Sequence, residues 1–311
     1  MASDLALDTA VVRGAGRSRL SFPDPVLAGH FRHRRVLPLV LRLGLYVLML
    51  LLALLFAFPL LWMLTMSLKP DNQQYSFPPQ WIPSTFHWQN YILGWTTVGF
   101  GHFFYISFLY ALLSTAGVVV SCSLAAYALA RLRFRARTAV FSIVLATLML
   151  PPQVTLIPVY LLFRDLHWIN TLRPLIVPQW FAVNAFSVFL LRQFFMTLPR
   201  DLDDAARIDG ASEFGIFRHV ILPLSLPALS VVALFQGVFA WSDFFGPLIY
   251  ESSQRNFPVA LGLTYFQDQY GAMHLNQMMA MTVLSVVPVF VVFFLFQRYF
   301  IRGIVLSGVS R

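Results

Sequence analysis

The sequence predicts an all-α polytopic membrane protein with six transmembrane helices and cytoplasmic N and C termini. Of its 311 residues 58% are hydrophobic, 11% are charged and 31 are phenylalanine, a composition that cannot give one water-soluble globule a normal polar surface. Six charge-free runs each have about the 18 or more residues that a helix needs to cross a bilayer. They are Leu43 to Ser67, Phe103 to Ala130, Thr138 to Phe163, Pro174 to Leu191, Val220 to Ser242 and Gln269 to Gln297. Each run is continuous rather than alternating, which selects helices over barrel strands, because backbone groups in hydrocarbon must be satisfied within the segment. Orientation follows from Arg and Lys, which are retained on the cytoplasmic side during insertion. The N-terminal tail, Arg131 to Arg137, Arg192 to Arg218 and the C-terminus hold 18 of the 22, leaving Lys69, Arg164, Arg173 and Arg255 for the other side.

Taken in order, residues 1–35 read as a mobile basic cytosolic tail, with little periodicity and a cluster from His30 to Arg35 placed among anionic headgroups. The tail has no apolar h-region, so the first span serves as an uncleaved signal. Residues 36–311 form the six-helix domain. In its third run Pro151 and Pro152 break or kink the helix and free backbone carbonyls toward a cavity, which makes Gln153 and Thr155 candidates for lining a translocation path. Asn184 and Gln236 are polar residues stranded in apolar runs and join the same candidate group, although each alone is more often an interhelical hydrogen-bond contact. Asp243 is the only carboxylate deep in a run, near its outer end, with a capping or pairing role beside Trp241 as the alternative to a path role.

Several function classes are excluded. The net charge of +9 is accounted for by topology, which removes the case for nucleic-acid binding. Cys122 is the single cysteine, no Cys/His set has metal-ligand spacing, and no catalytic motif is present. Lys69, the single lysine, follows Ser67-Leu68 and precedes Pro70, so no phosphate-cradling Gly-x-x-x-x-Gly-Lys-Ser/Thr loop exists. If ATP drives this protein, another chain must hydrolyse it.

One polar stretch interrupts the apolar pattern, in the inner loop over about residues 199–222. Asp201, Asp203 and Asp204 crowd a first helical turn, where carboxylates cap free N–H groups and meet the helix dipole. Ala205 and Ala206 offer a small face, Asp209-Gly210 closes the helix, and Ala211-Ser212-Glu213 starts another. Phe214, Phe217, Val220 and Ile221 make an apolar stripe, and Leu222-Pro223 leads into the fifth span. A helix-hinge-helix of this kind suits a partner's grip, with an amphipathic helix lying on the headgroups as the alternative.

Asp204-Ala205-Ala206, Gly210, and then Val220, Leu222 and Pro223 resemble the Glu-Ala-Ala signature, with its downstream Gly and Ile-x-Leu-Pro, of permease subunits of binding-protein-dependent ABC importers. Ser67 to Pro70 with Phe77 to Pro83 and Asn90-Tyr91, Ala126 to Arg131, Trp241 to Phe244, and Gln297 to Gly303 are similar to stretches of the carbohydrate branch, in particular the second permease of maltose-type and glycerol-phosphate-type systems. The likeness covers residues 36 to 311, with Asp204 in place of the leading Glu and Val220 in place of Ile. It implies a type I (MetI-like) importer fold in a prokaryotic plasma membrane and a role as half of the pathway for a sugar or polyol. It further implies a second, different permease, an extracytoplasmic sugar-binding protein and an ATPase dimer that binds ATP and Mg and grips the loop, with no cofactor in this chain. The rival is a stand-alone secondary carrier, against which stand the lack of a clear internal repeat and the single carboxylate in a span. A membrane enzyme lacks any catalytic grouping.

Overall fold

The computed structural model describes residues 39–266 and 274–308. The basic tail over 1–35 and residues 269–273 of the sixth run lie outside the described residues, as do the side chains from Arg298 onward. Among the described residues every regular element is helical. Two units divide the chain after Ala57. In the first, helix α1 (Leu39–Ser67) begins, and its large side chains over residues 41–56, Tyr46 and Phe56 among them, are exposed around the helix. A helix satisfies its own backbone, so such a surface is at home in hydrocarbon.

The second unit continues through α2 (Gln89–Thr97), α3 (Phe100–Arg131), α4 (Arg137–Thr147), α5 (Pro152–Asp165), α6 (Arg173–Ile176) and α7 (Ala185–Thr197). It proceeds through α8 (Asp201–Ile208), α9 (Glu213–Ile216), α10 (Leu222–Leu224), α11 (Leu226–Ser242), α12 (Phe245–Tyr250), α13 (Val259–Gly262) and α14 (Leu275–Gly308). Its axis is α3, whose 32 residues reach about 48 Å at 1.5 Å per residue. Ser114 and Gly117 on one side of it, and Ser123, Ala126 and Ala130 on the other, are buried, and small residues of this kind let neighbouring helices, α7 and α11 among them, pack against it. A Cβ on Gly117 would come within 2.8 Å of Trp180, so only glycine admits that ring against α3. The core at the basic end of α3 joins Val118, Cys122 and Ala126 to Leu191 and Phe195 of α7 and to Ile216 and Ile221.

Among the described residues four helices are long and apolar enough to cross a membrane, and two bent pairs bring the number to six if each pair is one span. The third run is one of these pairs. Helices α4 and α5 meet at 99°, with Pro151 extended and Pro152 opening α5, because proline lacks the N–H and its ring clashes with a preceding carbonyl. The fifth run, expected to be continuous from Val220, bends by 79° at the break before α11, and Pro223 and Pro227 flank that break. The fourth is also interrupted. Its 3₁₀ turn Val177–Phe181 ends at Ala182 in the left-handed region (φ 55°), after which Asn184 caps α7 by accepting the Ser187 N–H.

At the opposite end a polar knot joins three elements. The Asn90 amide donates to the carbonyls of Ser67 and Lys69 (both 2.9 Å), and the Asn276 amide donates to the Lys69 carbonyl and to Asp71. The buried Lys69 ammonium lies 4.5 Å from the centre of the Trp62 ring, and burial lowers its pKa.

Beyond α12, buried Glu251 accepts from the Asn256 amide at 2.9 Å, while its other oxygen has no partner among the described residues. Burial pushes this carboxyl up to about 7 from its ordinary 4.5. The fold therefore holds a proton that the unfolded chain has released. Its contribution to stability is whole below the unfolded value and is lost as pH rises through about 7, a swing of at most roughly 3 kcal/mol. Glu251→Gln, neutral throughout, is expected to flatten this slope in unfolding curves taken across pH 5 to 7.5; equal slopes in both proteins would contradict it.

Candidate functional site

The helix-hinge-helix forms as the sequence suggests, and its hinge has a defined geometry. Asp209 ends α8, and Gly210 follows at φ +85°, donating its N–H to the Arg207 carbonyl (3.0 Å) while the Ala211 N–H reaches the Ala206 carbonyl (2.9 Å). Those two bonds close the C-terminus of α8 in a Schellman arrangement, which favours glycine at the left-handed position. Ser212 then caps α9 by accepting the Gly215 N–H at 3.2 Å. A π-helical turn, Phe217–Ile221, widens the backbone just before Pro223.

The expected capping by the aspartates does not occur, because two of the three are bound by arginines instead. The position before α8 is Arg200, with no side-chain capping bond. Asp203 points inward and meets Arg131, the last residue of α3, at 3.2 Å, with both side chains at most 4% exposed. Arg131 also donates to the carbonyls of Phe195 (2.6 Å) and Leu198 (2.9 Å) at the end of α7. Burial raises the Asp203 pKa, and the charges of Arg131 and Arg207 pull it back. Asp204 stays at the surface and pairs with Arg207 at 2.8 Å, and Arg207 bridges on to Glu213 at 2.9 Å. Tyr127, one turn before Arg131 on α3, donates its hydroxyl to the Glu213 carboxylate at 3.0 Å. Both arms of the motif are therefore fastened to one end of α3.

The apolar stripe divides. Phe217 and Ile221 pack into the core with Ile216, which the sequence reading did not single out, and Phe214 faces out at 61% exposure. Beside it on the outer surface lie Ala205, Ala211 and Pro223, with Ile208 at 87%, while Ala206 and Leu222 are half-buried. Arg131, Tyr127 and Arg207 complete the site without having been assigned to it. The spacing of four between Tyr127 and Arg131 places them on one helix face, but nothing in the sequence says that residues 72 and 86 positions downstream lie opposite.

The path candidates separate into three groups. Gln153 and Thr155 sit exposed in the first turn of α5, and the Thr155 hydroxyl donates to the Pro152 carbonyl. Asn184 and Gln236 come together, the Asn184 amide donating to the Gln236 carbonyl oxygen at 3.3 Å, and the buried Gln236 amide nitrogen has no partner among the described residues. Asp243, at the C-terminus of α11, accepts the Tyr110 hydroxyl (2.9 Å) and the Gly246 N–H (3.0 Å), and the Trp241 indole reaches the Ser285 carbonyl instead. Its contacts are those of a turn-closing residue.

A family profile described as the binding-protein-dependent transport system inner membrane component matches residues 117–306. The chain belongs to this family. Similar proteins include the arabinooligosaccharides transport system permease of Bacillus subtilis, 33% identical over 87% of this chain and 96% of the relative. The sn-glycerol-3-phosphate transport system permease of Yersinia enterocolitica is 32% identical over 84% and 94%, and the trehalose/maltose transport system permease of Thermococcus litoralis is 34% identical over 82% and 91%. In fold, the chain resembles a solved bacterial ABC transporter involved in import of the acidic polysaccharide alginate, with a TM-score of 0.75, 22% identity, and coverage of 84% of this chain and 96% of that one. This member of the binding-protein-dependent family is thus a multi-pass membrane permease subunit of an ABC importer rather than an enzyme, and the stand-alone carrier reading is set aside.

Proposed function

We propose that this permease imports a carbohydrate, a sugar or polyol, and that its α8–α9 motif is the seat of an ATPase subunit on the cytoplasmic face. One observation carries the reading. Both arms of the motif are fixed to the end of α3, by Arg131–Asp203 and Tyr127–Glu213, while Ile208 and Phe214 stand exposed on the outside. A lever must be stiff toward the helices that it moves and open toward the part that drives it. ATP and Mg belong to the ATPase dimer. A binding protein delivers substrate from outside, and a second, different permease supplies the other half of the path. The apolar surface of α1 is available to that partner and to lipid.

The carbohydrate class rests on the named relatives, whose arabinooligosaccharide, trehalose/maltose and glycerol-phosphate systems carry hydroxyl-rich solutes. Within the bundle, the Asn184–Gln236 pair fits such a solute, since the Gln236 amide still has N–H groups to donate. Gln153 and Thr155 at the α4–α5 break, and Asp243 at the end of α11, are the remaining path candidates. Mild-detergent pull-down of the tagged chain from its native membrane is expected to bring down an ATPase and a different permease, with ATP hydrolysis stimulated by a sugar-loaded binding protein. Recovery of a stable chain alone, without ATPase activity, would overturn the reading.

A further inference from the structure

Four arginines of this chain share a cleft that the proposed function does not use. Arg133, Arg135, Arg137 and Arg192 line an open cleft of about 540 Å³ together with Phe134 and Thr138, and among the described residues no carboxylate lines it. Arg137 and Arg192 both spend their Nε–H on the same acceptor, the Leu129 carbonyl in the last turn of α3, at 2.7 and 3.2 Å. The Arg192 guanidinium also lies 3.8 Å from the centre of the Phe141 ring, which fixes its plane. Among the described residues none of the four is ion-paired. Two guanidinium groups are thus oriented by their inner nitrogens, and their terminal N–H pairs remain for an anion, the fork that matches phosphate oxygens.

We propose that this cleft binds the phosphate headgroup of an anionic phospholipid. The neighbouring surface selects a lipid over a free phosphate. Helix α4 begins at Arg137 and has no buried residue, and its Val140 and Ile143 are 40% and 66% exposed, so an apolar flank leads directly away from the arginines. A headgroup in the cleft would lay its acyl chains along that flank. The cluster is at the end of the bundle where α3, α4 and α7 meet, and the proposal requires only that this end lies at a leaflet boundary. It does not depend on which solute is carried.

The test uses the intact transporter complex in mixed micelles of phosphatidylglycerol and phosphatidylcholine, with retained lipids counted by native mass spectrometry. Phosphatidylglycerol is expected to be retained in preference, and Arg133→Gln/Arg135→Gln, two exposed positions, should weaken that preference by about 30-fold, given the attraction of each basic side chain for an anionic surface. Ile143→Ser should weaken retention without changing the charge. Inorganic phosphate in excess should leave the lipid in place. Equal retention of the two lipids, an unchanged preference in the double variant, or full displacement by phosphate would each overturn the assignment, the last by showing a site for a free anion.

Discussion

Asp203→Ala is expected to destabilise the protein by about 3 kcal/mol, because it leaves the Arg131 guanidinium buried without its counter-charge. The figure is at the low end for a broken buried pair since Arg131 keeps two acceptors, the carbonyls of Phe195 and Leu198. The same change releases α8 from α3, so uptake should fall together with stability. Arg131→Met/Asp203→Leu is expected to lose less than the sum of the single changes, because neither charge is then stranded and only the two carbonyls lose their donor. Unfolding of the purified complex in a denaturing-detergent titration reads the first effect, and the double-variant cycle reads the second. An Asp203→Ala protein as stable as the parent would mean that the pair does not hold the loop.

The second large effect is on coupling rather than on stability. Gly210 stands at φ +85° and donates its N–H to Arg207, whereas proline is fixed near φ −65° and has no N–H to give. Gly210→Pro must therefore unwind the end of α8 and re-aim α9, while the α3 core beneath stays packed. Gly210→Ala, which keeps the N–H, should cost only about 1 to 2 kcal/mol for the left-handed backbone. Asp204→Lys removes an exposed pair with Arg207 worth at most about 1 kcal/mol, so its effect on stability is small. Its effect on an acidic contact with a docked ATPase would be direct. Asp204→Lys/Gly210→Pro is expected to insert normally while solute carried per ATP hydrolysed falls by roughly 5- to 150-fold, the usual range of coupling between linked sites. Uptake and hydrolysis measured together in proteoliposomes decide the matter, and parental coupling in the variant would remove α8–α9 from the coupling role.

Much of this was legible in the chain. The apolar runs at Phe103 to Ala130 and Leu43 to Ser67 agree with α3 and α1 to within a few residues, because a helix in lipid must satisfy its own backbone and so advertises its length in composition. Gly210 and the Pro151-Pro152 break were readable for a similar reason, since left-handed backbone and missing N–H groups are local properties of single residues. The partners of Asp203 and Asp243 were not. Asp203 looked like a local helix cap, and Asp243 stood open between a path role and a capping or pairing role; both are held by α3, through Arg131 and the Tyr110 hydroxyl. The interruption of the fourth run at Ala182 was likewise hidden, because alanine at φ 55° is imposed by surrounding packing and not by the residue itself.

By itself the sequence determined that the chain is a helical membrane permease without a phosphate-cradling Gly-x-x-x-x-Gly-Lys-Ser/Thr loop, and that one polar stretch has the form of a helix-hinge-helix. Each of these is carried by composition, by single-residue backbone chemistry or by a contiguous motif, and none needs distant residues to meet. Only the tertiary structure decided which side chains stiffen that loop, which carboxylates α3 holds, and that Asn184 joins Gln236 while Arg137 and Arg192 share one carbonyl and Arg192 lies on one aromatic ring. Those facts depend on contacts between segments that are up to 86 residues apart in the site, as with Tyr127 and Glu213. Helix periodicity sets which face a residue occupies, and packing alone sets what that face meets.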